Sequence, residues 1–303
     1  MKKNVIIALL GLAFAGALSL APEAQAGEGL FSRAYTTETT PEGHFEIEQL
    51  VRGRYERSFG TYNAYDFKTE LEYGVTDNFQ ASIYLNAGTM DAHGAPDDDD
   101  PKGSQPGGFT RVNSYFQGIS FEFIYRVLSP IKDGFGLAFY IEPEFDFQDI
   151  HNGLRYDRTM ATEYRVLFQK NFMDDQLILV YNLVFENEFI RFQGEEQWAG
   201  EFDWNNEIGL TYRFAPGFFA GLEARNHNEF GDFVNHEHSV YWAGPAFHYA
   251  SQSWWGTLGV LMQVYGDPHG VDENGVDISG HNGNLFLRSH EKWEVTAKVG
   301  FPF

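Results

Sequence analysis

The last eleven residues, WEVTAKVGFPF (293–303), decide the fold. Their odd positions carry Trp, Val, Ala, Val, Phe and Phe, whereas their even positions carry Glu, Thr, Lys, Gly and Pro. Successive side chains of a β-strand point to opposite faces, so this segment has one apolar face and one polar face. The pattern predicts a closing strand over residues 285–303.

Segments with similar alternation recur along the chain, and we count twelve of them. They span residues 44–57, 62–74, 79–86, 114–127, 135–147, 157–168, 176–188, 201–214, 218–227, 238–249, 254–265 and 285–303. Most hold about 10 to 14 residues, which covers the ~9–11 residues that a tilted strand needs to cross a bilayer. The sequence therefore predicts an all-β fold, a transmembrane antiparallel β-barrel of about 12 strands.

A chain that closes such a strand on an aromatic residue resembles the outer-membrane β-barrel proteins of Gram-negative bacteria, porin-like in architecture. The pattern Tyr-Gly-x-Thr-Asp at residues 73–77 is similar to the periplasmic turns of these barrels. The resemblance implies that outer-membrane lipid surrounds the protein. It also implies that the final strand and its terminal Phe303 are the signal read by the barrel-assembly machinery.

The beginning of the chain predicts export. Lys2 and Lys3 precede an apolar run over residues 5–20, and Ala24-Gln25-Ala26 has the small-x-small pattern of a signal-peptidase site. A membrane anchor is the alternative, but the run of 16 residues is shorter than the ~20 that a spanning helix needs. We expect cleavage near Ala26, a short periplasmic segment over residues 27–43, and the barrel over residues 44–303.

The connections between predicted strands fall into two classes. Those after even-numbered strands are short: 74–78, 128–134, 169–175, 215–217 and 250–253. Several after odd-numbered strands are long: 87–113, 148–156, 189–200, 228–237 and 266–284. Outer-membrane barrels keep short turns in the periplasm and long loops outside, so both termini are expected in the periplasm. Aromatic residues beside the short turns predict an interfacial girdle there.

The amino-acid composition limits the kinds of molecule that the protein is expected to bind. The chain has 43 acidic residues against 21 basic ones, a formal net charge of −22. This charge argues against nucleic acid as a partner and favours small cationic solutes. The absence of cysteine excludes disulfides, thiolate metal sites and cysteine nucleophiles together. We expect no cofactor.

Charged side chains occupy the polar face of the predicted strands, which would face the barrel interior. We predict these as lining residues: Glu122, Arg126, Glu142, Glu144, Glu163, Arg165, Glu207, Arg213, Glu223 and Arg225. They could pair and fill the interior, or their acidic surplus could line a narrow pore that favours cations. Twelve strands lie between the filled eight-stranded barrel and the open barrels of 16–18 strands. The function that we predict is a narrow, cation-favouring channel or uptake barrel for small solutes.

Two alternatives involve the predicted external segments. Their histidines are His93, His151, His227, His236, His269 and His281, with His238 at a strand lip. Imidazole and carboxylate groups bind zinc, copper or nickel, so capture of a divalent metal at these loops is one alternative. The spacing shows no tight ligand motif, and we expect no metal site.

An outer-membrane hydrolase is the second alternative. A lipase would need Ser and His on one lipid-facing side, but His238-Ser239 and Ser289-His290 are neighbours that point to opposite faces of a strand. A protease could use His236 with Asp232 and Glu237 at the rim. We expect no enzyme, because loops rich in Asp and His produce such groupings without any catalytic role.

Deletion of Phe303 should leave export intact and lower the yield of folded barrel, because the terminal aromatic residue is the predicted assembly signal. The measurement is the fraction of heat-modifiable protein in the outer membrane on an unboiled gel. An unchanged folded fraction would contradict the assignment.

Overall fold

The computed structural model describes residues 28–96, 108–148, 150–153, 155–192, 194, 196–269 and 284–303. The predicted number of twelve strands is confirmed. They are β1 (Phe45–Tyr55), β2 (Thr61–Thr76), β3 (Phe79–Ala95), β4 (Phe109–Leu128), β5 (Gly136–Gln148), β6 (Arg155–Phe172), β7 (Leu177–Phe192), β8 (Ala199–Ala215), β9 (Phe218–Gly231), β10 (Asn235–Ala250), β11 (Trp255–Pro268) and β12 (Trp293–Pro302). A single 3₁₀ turn, Glu28–Leu30, precedes them within the described part of the chain.

The sheet closes on itself through β1 and β12. Every strand pairs antiparallel with its neighbour in sequence, and the seam runs in register from Glu46 opposite Pro302 to Tyr55 opposite Trp293. Phe303 extends the seam, because its backbone N donates to Phe45 O at 2.8 Å and its O accepts from Phe45 N at 3.0 Å. A closed ladder leaves no edge strand, which is what a sheet surrounded by lipid requires.

The alternation of faces follows the prediction. On β5, Phe139 and Ile141 are exposed on the outer face, whereas Tyr140 and Glu142 are buried inside. The girdle residues that the sequence predicted beside the short turns are exposed or half-buried on the outer face: Tyr73, Phe79, Tyr125, Phe135, Phe168, Tyr212, Phe214, Phe218, Tyr249 and Trp254. No helix among the described residues is long and apolar enough to cross a membrane.

The two longest connections, between β3 and β4 and between β11 and β12, lie at the end that was predicted to carry the long loops. The predicted long connection over residues 228–237 is wrong, because β9 and β10 extend into it and leave only residues 232–234 between them. The turn between β8 and β9 holds only residues 216–217, and Gly217 there has φ 74°, a left-handed value that favours glycine. Residues 77–78 alone connect β2 to β3. The end of the barrel with these short turns is the periplasmic end, and the opposite end carries the long loops.

Strands β3 and β4 are longer than predicted. β3 reaches Ala95 rather than residue 86, and β4 begins at Phe109 rather than residue 114. The added residues pair with each other, for example Ala92 with Arg111. The prediction ended each strand where apolar alternation stopped, but a ladder can continue beyond the apolar band because its hydrogen bonds do not depend on lipid.

The closing strand is shorter than predicted. β12 begins at Trp293, and residues 284–292, which we call the inner loop, fold into the barrel. The side chain of Phe286 is fully buried there against interior residues Val240, Trp242 and Leu261. This apolar contact explains the error, since the same residues would otherwise have extended a strand into water.

The segment before β1, predicted as a short periplasmic segment over residues 27–43, lies largely within the barrel in its described part. Residues 28–40, which we call the inner strap, lie inside the barrel. Phe31 is fully buried, and the wall accommodates it at Gly209, where an added Cβ would lie 2.6 Å from its ring. The strap enters because its apolar side chains pack on interior residues Ile178, Val180, Phe219 and Ala246.

Replacing Leu183 with Arg should destabilise the barrel by roughly 2–4 kcal/mol, because Leu183 is an outer-face residue near the middle of β7. Replacing Phe214, an outer-face residue beside a short turn, with Arg should lower the free energy of unfolding by only about 0–1 kcal/mol. Denaturant unfolding of both variants in lipid vesicles compares the two depths. Equal costs would mean that the assigned membrane band is wrong.

Candidate functional site in the barrel interior

The inner strap is bound to the wall through its backbone. Glu223 of β9 is the central acceptor, because its carboxylate accepts from the N–H groups of Ser32 at 3.0 Å, Arg33 at 2.6 Å and Ala34 at 2.7 Å. The Ser32 hydroxyl also donates to it, at 2.5 Å. The strap forms no ladder with a strand, so its buried amide groups need these side-chain acceptors.

Three more wall side chains bind the strap in the same way. Their contacts are Tyr35 N to Asn182 Oδ1 at 2.6 Å, Thr37 N to Gln169 Oε1 at 2.8 Å, and Thr40 N to Gln80 Oε1 at 2.9 Å. At the start of the strap, the O of Gly29 lies 3.0 Å from Nδ1 of His248. All these wall residues lie within about six residues of the periplasmic ends of their strands. The strap therefore crosses the periplasmic half of the lumen.

Ion pairs lie beside the strap. Their distances are 2.8 Å for Arg33–Glu294, 3.0 Å for Arg225–Glu294, 2.6 Å for Arg165–Glu163, 2.7 Å for Arg165–Glu207 and 3.5 Å for Lys68–Glu142. The Arg165 guanidinium also lies 4.7 Å from the centre of the Tyr35 ring. Burial, followed by the nearby Glu122 carboxylate, raises the pKa of Tyr35 well above its ordinary value, so this phenol stays neutral.

All ten lining residues predicted from sequence lie on the inner face. Eight are buried or half-buried along the wall: Glu122, Glu142, Glu144, Glu163, Arg165, Glu207, Glu223 and Arg225. Arg126 and Arg213 lie at the periplasmic ends of β4 and β8. Arg126 pairs with Glu38 of the strap at 2.7 Å, and Arg213 contacts the carbonyl oxygen of Asp174 at 3.4 Å. Four of the ten contact the inner strap directly: Glu122, Arg126, Arg165 and Glu223.

Negative charge exceeds positive charge among the buried groups. In the described part of the chain, nine buried carboxylates lie against three buried Arg and Lys side chains. The carboxylates are Asp66, Glu70, Glu72, Glu122, Glu142, Glu207, Glu223, Glu291 and Glu294. The half-buried Glu144 and Glu186 make no hydrogen bond or ion pair with any described residue. Acidic side chains therefore outnumber basic ones on the interior wall, although Asp66, Glu142, Glu207 and Glu294 each pair with a basic side chain.

A cluster of three histidines and one glutamate lies at the opposite end of the lumen. Nε2 of His238 is 2.6 Å from Nε2 of His290, and Oε2 of Glu229 is 3.5 Å from Nε2 of both His227 and His238. His227 and His238 were predicted as external histidines, whereas Glu229 and His290 were not predicted to join them. The i, i+2 spacing of His227 and Glu229 could have placed both on one face.

One Ser–His contact, between His236 and Ser239, forms at the external rim of the barrel. Nε2 of His236 lies 3.1 Å from the Ser239 hydroxyl, but it also lies 3.1 Å from the carbonyl oxygen of His238, which can only accept a hydrogen bond. The Ser239 hydroxyl donates to Asn228 Oδ1 at 2.7 Å. These directions place a proton on His236 and direct the serine proton elsewhere, so the pair lacks the arrangement of a nucleophile and its base.

Comparison with solved structures places this fold among outer-membrane barrels. The COG4313 outer membrane channel from Pseudomonas putida F1 superposes with a TM-score of 0.57 at 8% identity, covering 88% of this chain and 98% of that chain. The translocator domain of the autotransporter NalP from Neisseria meningitidis gives a TM-score of 0.44 at 11% identity, covering 86% of this chain and 88% of that chain.

Sequence comparison gives a narrower result. No curated protein sequence shows significant similarity to the chain. Residues 23–303, nearly the whole chain, match a family of unknown function (DUF6662). The protein is therefore a member of the DUF6662 family.

Proposed function

We propose that the protein is an outer-membrane channel for small cationic solutes, closed in this conformation by the inner strap and the inner loop. The observation that carries the proposal is the surplus of buried carboxylates on the interior wall. Outer-membrane lipid and the barrel-assembly machinery are its proposed partners. The leader and its cleavage near Ala26 stay predictions, since they lie outside the described residues.

Acidic side chains on the wall of a lumen favour cations by a general electrostatic effect. A lumen with negative walls raises the local concentration of cations and repels anions, because low-dielectric surroundings focus the field. Rings of Asp and Glu side chains select cations in channels for this reason. Once water fills the open lumen, Glu144 and Glu186 would contribute to this field, since neither forms a hydrogen bond or ion pair with any described residue.

The way in which the inner strap is bound supports reversible closure of the lumen. A strand in the ladder would be fixed by continuous backbone pairing on both sides, whereas the strap depends on a few side-chain acceptors near one end of the barrel. Glu223 alone accepts three backbone N–H groups. Loss of this one carboxylate would therefore weaken the attachment of the middle of the strap.

A structurally similar protein also favours a channel. The Pseudomonas putida F1 protein with this fold is described as an outer membrane channel. The hydrolase alternative gains less support, because the Ser239 hydroxyl donates its hydrogen bond to Asn228 and not to a histidine. A channel is therefore the function that the geometry favours.

Replacing Glu144 and Glu186 with Gln should reduce the preference for cations without a large change in volume. The measurement is the reversal potential of the refolded barrel in planar bilayers across a KCl gradient. The preference of the unmodified protein should also weaken as salt rises, since the screening length falls to ~3 Å at 1 M. The exposed residues Glu42 and Glu196, changed to Gln together, serve as the matched control. Anion preference in the unmodified barrel would exclude the proposal.

Replacing Glu223 with Ala should increase the open probability, because three backbone N–H groups of the strap lose their acceptor. Single-channel recording compares this variant with Glu144→Ala, which also removes one interior carboxylate but touches no described part of the strap. If the two variants open equally often, the strap is not the element that closes the lumen.

A further inference from the structure

The histidine cluster draws its members from three separate parts of the barrel. His227 and Glu229 lie on β9, His238 lies on β10, and His290 lies on the inner loop. Glu229 and His238 are direct cross-strand partners. One possible ligand atom from each of the four residues lies within 4.8 Å of all the others. These four groups therefore converge on one point inside the external half of the lumen.

The orientation of His227 is set by a neighbour outside the cluster. Its Nδ1 lies 2.9 Å from Asn205 Oδ1, an amide oxygen that can only accept a hydrogen bond. Nδ1 must therefore carry the proton, and the lone pair of Nε2 points toward the cluster. This Nε2 is buried and makes no hydrogen bond within the described structure. Metal-binding histidines have this arrangement: one ring nitrogen donates a hydrogen bond to a neighbouring residue, and the other binds the ion.

The contact between His238 and His290 also indicates a binding site for a cation. Two neutral imidazoles whose Nε2 atoms are 2.6 Å apart must share a proton, because two facing lone pairs repel. A tetrahedral zinc ion with Zn–N bonds of ~2.0–2.1 Å holds two nitrogens about 3.3 Å apart. The pair would have to open by only about 0.7 Å for the ion to replace the proton.

The inner loop is fixed without the help of an ion. Gln263 accepts from the N–H of Phe286 at 2.6 Å and donates to its carbonyl oxygen at 3.1 Å. The indole N–H of Trp242 donates to the carbonyl oxygen of Glu291 at 3.1 Å. These bonds hold the loop on both sides of His290, so this ligand is already in place before any ion arrives.

We propose that His227, Glu229, His238 and His290 bind one divalent transition-metal ion of the zinc type, which connects the inner loop to β9 and β10. Three imidazoles and one carboxylate match the donors that such ions prefer. Calcium and magnesium are a poor match, because both require a shell made of oxygen ligands. The side chains of Trp242 and Phe286 lie against the histidines and limit the access of water.

The test is direct metal binding by the refolded full-length protein after chelator treatment. Titration calorimetry with Zn²⁺ alone should give one ion per barrel, and Co²⁺ alone should give the intense visible bands of a four-coordinate site. His227→Ala and His290→Ala should each weaken Zn²⁺ binding by more than about 100-fold, the upper range for loss of an outer partner. Asn205→Ala should weaken it by roughly 10–100-fold, because Asn205 only orients His227.

His93→Ala is the matched control, since His93 is an exposed histidine on β3. This variant should bind Zn²⁺ like the unmodified protein, and Mg²⁺ should not compete. Heat-modifiable mobility on gels verifies that each variant is folded, and His290 lies outside every strand. Absence of stoichiometric Zn²⁺ binding would overturn the proposal, as would equal losses in His93→Ala and His290→Ala. Both outcomes are independent of ion conduction.

Discussion

The constraint on which the structure depends is that every backbone N–H and C=O removed from water needs a partner. In the barrel wall, the closed ladder of hydrogen bonds from β1 to β12 provides these partners for every strand. Inside, the inner strap has no ladder, and the wall supplies side-chain acceptors instead, above all Glu223. The same requirement thus explains both the closure of the sheet and the polar residues that face inward from it.

The interior combines two kinds of carboxylate with different consequences. Those of Glu163 and Glu207 are held by Arg165, and such pairs fix positions more than they add stability, since burial of charge is costly. Glu144 and Glu186 have no such partner in the described chain. The paired groups organise the interior, and the unpaired groups give it the field from which the proposed selectivity follows.

The strands of the barrel wall could be predicted from the sequence, but the segments that lie inside the barrel could not. Alternation correctly assigned the inward side of residues such as Glu142 and Arg165, because the two-residue period is a local property of a strand. The position of Phe31 depends instead on Gly209 and Phe219, which are remote in sequence, and no local pattern encodes that contact. His290 was missed for a related reason, since local alternation predicted a strand where burial of Phe286 turns the chain inward.

The route of the inner strap has a topological consequence. Its first contact, from Gly29 to His248, and its exit, where Gly43 N donates to Gly74 O, both lie at the periplasmic end of the wall. A segment with both ends at one opening forms a simple loop. Such a loop can enter or leave the barrel without a chain terminus being drawn through the barrel. The seam between β1 and β12 can therefore stay closed while the strap moves.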